Sequence, residues 1–294
     1  MVKTEKLRND IDLIYEEVPG TKSVSFGIFV KMGSALENKD NNGISHVIEH
    51  MIFKGTSKYS VKEMADIMSD FGGNINAYTS KENTVFYGRV LWEDFEKSIE
   101  LMSQMLFDSS FNEKELAKEK HVILDEIDLY DDSAEDLCHE LLQKKVWKNS
   151  SYGYIISGNR STVKSFSRQC IVDTWKANYI PENIINAALG GNLNARLFQK
   201  IREEMGLTYS IYSYGSSFNK AGLFHIYASM NPSQVGKVLN GIYNVIKELC
   251  EEGIGETELE RIKKQLKTEI ILTGESVSGS VTCDGLSARF IKVK

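Results

Sequence analysis

Hydrophobic positions along the chain fall into short runs whose period changes from two to three or four. Apolar, β-branched and aromatic residues dominate residues 11–17 and 23–31, with Pro19-Gly20 between them, a pattern that predicts a β-hairpin. A polar loop over 32–42 leads into an apolar stretch, about 43–54, that predicts a helix stopping near Gly55-Thr56. Ser60-Val61-Lys62-Glu63 opens a second helix as a capping box, in which each side chain satisfies a free backbone amide. Ala65, Met68 and Phe71 continue its apolar side, and Gly72-Gly73 ends it. Residues 74–80 and 84–90 predict a second hairpin.

Phe95, Ile99, Met102 and Leu106 keep helical spacing across about 93–108. Asn112-Glu113-Lys114-Glu115 starts a long helix, and Ser133 caps a further one that carries Leu137, Leu141 and Val146. A loop over 152–159 precedes a helix at about 165–178, which Pro181 prevents from continuing, and then an apolar strand over 184–189. After Gly190-Gly191 the pattern restarts. A helix over 193–205, a hairpin from 209–218 and 223–230, and helices over 233–251 and 256–273 are expected. The order helix, hairpin, long helix echoes residues 60–107, a structural echo without a residue-level repeat.

Composition narrows the reading only slightly. With 41% hydrophobic and 26% charged residues the 294-residue chain has the make-up of a soluble globular protein, as one large domain or two ordinary ones. A net charge of −6 gives no reason to expect nucleic acid as a partner. No run of apolar residues is long enough for a membrane span, and the first residues lack an apolar signal core, so no membrane association and a cytoplasmic location are the expectations. Cys138, Cys170, Cys250 and Cys283 are scattered without a Cys-x-x-Cys pair, which argues against both a disulfide framework and a thiolate metal site.

The candidate chemistry lies in His46-Val47-Ile48-Glu49-His50. On a helix the two imidazoles project from one face with Glu49 beside them, an arrangement that suits zinc. A carboxylate in that place can take a proton from water at the metal. A third protein ligand is then needed, and residues 119–127 offer candidates. Glu119 and Glu126, two turns apart, share one stripe of the long helix, whereas His121 and Asp125 fall on other faces.

His-x-x-Glu-His is the inverted zinc-peptidase motif. With Glu126 at 76 residues beyond His50, the chain resembles the insulinase-like (pitrilysin, M16) metallopeptidases of the processing-peptidase type. The resemblance implies that His46, His50 and Glu126 hold Zn2+, that Glu49 is the general base, and that Glu119 supports the ligands. It also implies that Asn76-Ala77-Tyr78-Thr79 is an exposed sheet edge, with Asn76 and Ala77 binding an extended peptide as an added strand. Arg202 and Tyr209 resemble the pair that the family's second half contributes to catalysis, donors to substrate backbone and to a developing oxyanion. The implied fold is α+β, two related layers of mixed or antiparallel sheet packed with helices, with an N-terminal zinc-binding part over 1–189 and a partial C-terminal part over 190–294. The implied activity is zinc metalloendopeptidase cleavage of extended peptides or unfolded segments.

The chain departs from that family in two places. Residues 183–189 pass almost directly into Gly190-Gly191, where family members carry a longer segment, and the tail from Ser276 abandons the pattern. The second half is therefore expected to be incomplete, with an unpaired sheet edge. Either the halves pack differently, or another copy in a homo-oligomer supplies what is missing; the rival functional expectation is a catalytically inactive binding or assembly subunit.

Overall fold

A computed structural model describes residues 3–6, 12–15, 22–179, 210–217, 222–252 and 256, which separate into two compact units, one before residue 180 and one from residue 210. The Pro19-Gly20 turn, the strand over 184–189, the helix over 193–205, nearly all of the helix over 256–273, Arg202, Tyr209 and Cys283 lie outside the described residues.

In the first unit, β3 (Ser23–Val30), β5 (Thr84–Leu91) and β4 (Asn74–Thr79) form an antiparallel sheet in the order β3-β5-β4. Among the described residues the first hairpin expected from the sequence is not made. β2 (Asp12–Tyr15) pairs with β1 (Lys3–Lys6) in a ribbon of its own, and β3 pairs with β5. The reason is the apolar face of β3. Phe26, Ile28 and Val30 stand opposite Gly88, Phe86 and Thr84, which places their side chains on the core side of one sheet. Gly88 is required there, because a Cβ at that position would come within 2.7 Å of the Phe26 ring. The second hairpin forms as expected, with Ala77 opposite Phe86 and Thr79 opposite Thr84. Among the described residues β4 pairs only with β5, so it is a sheet edge.

Helices cover this sheet. They are α1 (Ile44–Ile52), α2 (Val61–Asp70), α3 (Phe95–Phe107), α4 (Glu113–Asp132) and α5 (Ala134–Val146), followed by α6 (Arg160–Ser165) and α7 (Arg168–Asn178). The capping box at Ser60 and Glu63 is present, and Asn112 and Ser133 cap α4 and α5. The helix expected over about 165–178 is α7, starting three residues later, and the short α6 before it was not expected. Phe166 turns into the core between them, and the Ser167 side chain caps the second by accepting from Cys170 N–H. Helix α1 lies at the centre of the core, with Ile44, Val47, Ile48, Met51 and Ile52 buried beside Phe86, Met102, Met105 and Ile123. Each such side chain contributes about 1.5–3 kcal/mol on burial, so the helix is held on nearly all sides.

The second unit has the expected hairpin, β6 (Ser210–Ser217) with β7 (Gly222–Ser229), and then α8 (Val235–Glu252) after a 3-10 turn at Pro232–Gln234. Val238 and Val245 of α8 bury against Ile226, Ala228 and Met230. No helix among the described residues is long and apolar enough to cross a membrane.

Candidate metal centre

Two helices build the site. On α1, His46 and His50 are one turn apart, with ring centroids 4.6 Å from each other and planes at 70°. On α4, Leu116, Glu119, Ile123 and Ile127 form the buried stripe that packs against α1, and Glu126 sits at its margin, half-buried. Packing that stripe on α1 brings Glu126 Oε2 to 3.7 Å from His46 Nε2 and 3.6 Å from His50 Nε2. His46, His50 and Glu126 are the group of donors that could hold a metal ion among the described residues, with ligand atoms within 4.8 Å of one another.

Neighbouring groups orient this trio. His50 Nδ1 lies 3.1 Å from Glu119 Oε2. A carboxylate only accepts, so the contact fixes the Nδ1–H tautomer and leaves the Nε2 lone pair facing Glu126. The other Glu119 oxygen meets Lys54 Nζ at 2.8 Å, and Lys54 lies in the turn just past the C-terminus of α1. His46 has no such support: its Nδ1 is buried without a hydrogen-bond partner. Burial, with the neighbouring His50 ring, lowers the His46 pKa to about 3, so this imidazole stays neutral as a ligand must.

Glu49 points into the same space. Burial raises its pKa above the ordinary carboxylate range, opposed by a hydrogen bond from Thr79 Oγ1 and by His50. Burial also raises Glu126, with His50 opposing. The donors and Glu49 line a cavity of about 430 Å³. One wall is the β4 edge at Ala77, Tyr78 and Thr79, another is α5 at Asp136 and Glu140, and a third is the loop from Gly153 to Ser157. Asn76 is on the same strand but does not line the cavity; its Oδ1 accepts from Ala77 N–H at 2.8 Å. Lys54 was not singled out in the sequence, and Thr79 was named only as the end of the expected sheet edge.

Two family models match the chain: Insulinase (Peptidase family M16) over residues 13–160, and Peptidase M16 inactive domain over 171–266. The chain belongs to the insulinase family of peptidases, M16. It is 30% identical to the uncharacterized zinc protease YmxG of Bacillus subtilis, covering 97% of this chain and 87% of that protein. That alignment runs over 357 positions against 294 residues here, so at least 63 of its positions have no counterpart in this M16 chain. The β subunit of the mitochondrial-processing peptidase of Saccharomyces cerevisiae is 32% identical over 69% of this chain and 44% of its own length. In fold, the M16 chain is similar to a protease from Helicobacter pylori, with a TM-score of 0.86, 18% identity, and coverage of 95% of this chain and 87% of the other. The α+β architecture expected from the sequence is thus the M16 peptidase fold.

Proposed function

We propose that this M16 protein is a zinc-dependent metalloendopeptidase that hydrolyses peptides or unfolded segments held in an extended conformation. The reading rests on one observation: two imidazoles, a distant carboxylate and a second, proton-accepting carboxylate converge in a cavity walled by an open sheet edge. The donors fit zinc. Bonds of about 2.0–2.1 Å in a tetrahedral shell separate ligand atoms by about 3.4 Å. The carboxylate oxygen stands 3.6 and 3.7 Å from the two Nε2 atoms, and one imidazole is held neutral by burial.

In this reading His46, His50 and Glu126 hold the zinc, and Glu119 fixes the His50 ring. When bound, zinc supplies a Lewis acid that polarises a carbonyl and acidifies water. Glu49 takes the proton from the attacking water and delivers it to the leaving amine; burial, which raises its pKa, makes it a better proton acceptor than an exposed carboxylate. The β4 edge at Ala77 to Thr79 pairs with the substrate backbone, which gives recognition without demanding a sequence. Away from the metal donors, Asp136 and Glu140 against the single Lys81 leave the lining net negative, which favours peptides with basic side chains. Arg202 and Tyr209 are assigned to the oxyanion on family resemblance alone.

Zinc content and turnover of a quenched, extended peptide carrying basic residues, with and without a chelator, test this reading. Glu49→Gln is expected to keep its zinc and to cleave slower by about a hundredfold or more. Normal turnover in that variant removes Glu49 from its role. The alternative, a binding or assembly subunit without peptidase activity, draws on the alignment positions absent from this chain. Stoichiometric zinc with no turnover of any extended peptide is the outcome that selects it.

A further inference from the structure

We propose that Glu37 is a positioning residue of the metal centre, a buried carboxylate that holds the N-terminus of α1 and so fixes the height and rotation of the helix carrying both imidazoles. The inference rests on the zinc reading above. It starts from a deficiency in the sequence. The N-cap of α1 is Gly43, which has no side chain with which to cap. The first free amides of this buried helix would therefore be unsatisfied, at a cost of about 1–3 kcal/mol each.

Glu37, six residues upstream, supplies the missing acceptor. Its Oε2 accepts from Gly43 N–H at 2.7 Å and from Asn42 Nδ2 at 2.9 Å. Its Oε1 accepts from Ser45 N–H at 2.9 Å and Ser45 Oγ–H at 2.7 Å. All four partners are donors, both oxygens are used twice, and Glu37, Asn42 and Ser45 are all buried. A negative charge at this end also complements the helix dipole. His46 follows Ser45 directly, so a shift at this anchor is passed to the first ligand without an intervening turn.

The anchor joins the walls of the cavity as well. Just before Glu37, Ser34 N–H and Ala35 N–H donate to Ser80 O and Lys81 O at the β4–β5 turn, which ends the strand proposed to receive substrate. Asn42 Nδ2, besides reaching Glu37, donates to Ile155 O at 2.8 Å in the facing loop. The segment 34–45, which the Glu37 carboxylate closes onto the helix start, thus ties the metal helix to the segments that flank it.

Isosteric Glu37→Gln separates positioning from bulk stability. An amide nitrogen at the Oε2 position faces the Gly43 N–H and Asn42 Nδ2 donors; at the Oε1 position it faces the Ser45 N–H while the Ser45 hydroxyl can turn to accept from it, so a backbone donor of the helix start loses its acceptor either way. In the intact protein, zinc affinity measured by competition with a chromophoric chelator is expected to fall by about tenfold to a hundredfold. The visible absorption of the cobalt-substituted protein, which reports ligand geometry, is expected to change with it. Ser45→Ala, which removes one donor and keeps the carboxylate, is expected to weaken zinc by a few-fold, about what one hydrogen bond is worth. It carries the test if Glu37→Gln does not fold. Folded variants with wild-type zinc affinity and an unchanged cobalt spectrum overturn the proposal, even if they melt earlier. A wild-type protein that fails to bind zinc at all overturns the metal reading, and the role of Glu37 toward it falls with that reading.

Discussion

Thr79 shows what a single side chain does to the proposed base. Burial raises the Glu49 pKa, and the Thr79 hydroxyl, donating to the carboxylate, stabilises the charged form and pulls it back down. Thr79→Val removes the donor while keeping the shape, so the Glu49 pKa rises further. The base works only when deprotonated, and activity is lost as pH falls through its pKa. The acid limb of the kcat/KM profile is therefore expected to move to higher pH, by about one unit if the hydrogen bond is worth about 1.4 kcal/mol. An acid limb that stays in place or moves down shows that Thr79 does not set the base. At this scale the sequence was informative where the relation is local. His46, Glu49 and His50 share a helix, and helical periodicity alone puts them together. Glu126 needed both its stripe on α4 and the family resemblance. Thr79 was not legible, because its meeting with Glu49 depends on β4 pairing beside α1, and no residue near Glu49 in the chain announces it.

Among elements, two helix starts divide stability from function. Ser60 caps α2 through a capping box at an exposed position far from the cavity. Ser60→Ala is expected to cost about 1 kcal/mol in chemical denaturation and to leave zinc affinity unchanged. Gly43 starts α1 with φ +97°, and a Cβ there would come within 2.6 Å of the Gly158 Cα and 2.8 Å of the Ser157 carbonyl. Gly43→Ala must strain the backbone and push the metal helix from the loop at 157–158. A loss of about 1–3 kcal/mol accompanied by weaker zinc binding is expected. Equal zinc affinity in the two variants would show that the α1 start is a structural detail only. The same contrast explains which elements could be read in advance. The Ser60 cap, the second hairpin and the long helix carry their signals within a few residues. The pairing of β3 with β5 instead of β2 does not, because the choice is made by which apolar faces close over α1, some 60 residues apart in sequence. Helix α6 was not expected for a different reason: it is only six residues long, too short for a periodic apolar pattern to stand out.

For the molecule as a whole, the two units make metal binding a local event with a global readout. All three proposed ligands, the base and the Glu119–Lys54 support belong to the unit before residue 180, and the second unit has its own small core around Val238 and Val245. A ligand that binds only the folded form stabilises the part that holds it, by about 2.7 kcal/mol at a hundred times its Kd. Two compact units also make a single two-state transition the wrong default. Calorimetry of the intact protein is therefore expected to show a transition that moves to lower temperature when zinc is removed and returns when it is restored. A second transition, belonging to the hairpin β6–β7 and α8, is expected to keep its midpoint through both steps. Were both transitions to move together by the same amount, the units would be unfolding as one, and the metal would be acting on the entire chain. Were neither to move, His46, His50 and Glu126 would not be gripping a metal in the folded state, whatever their distances.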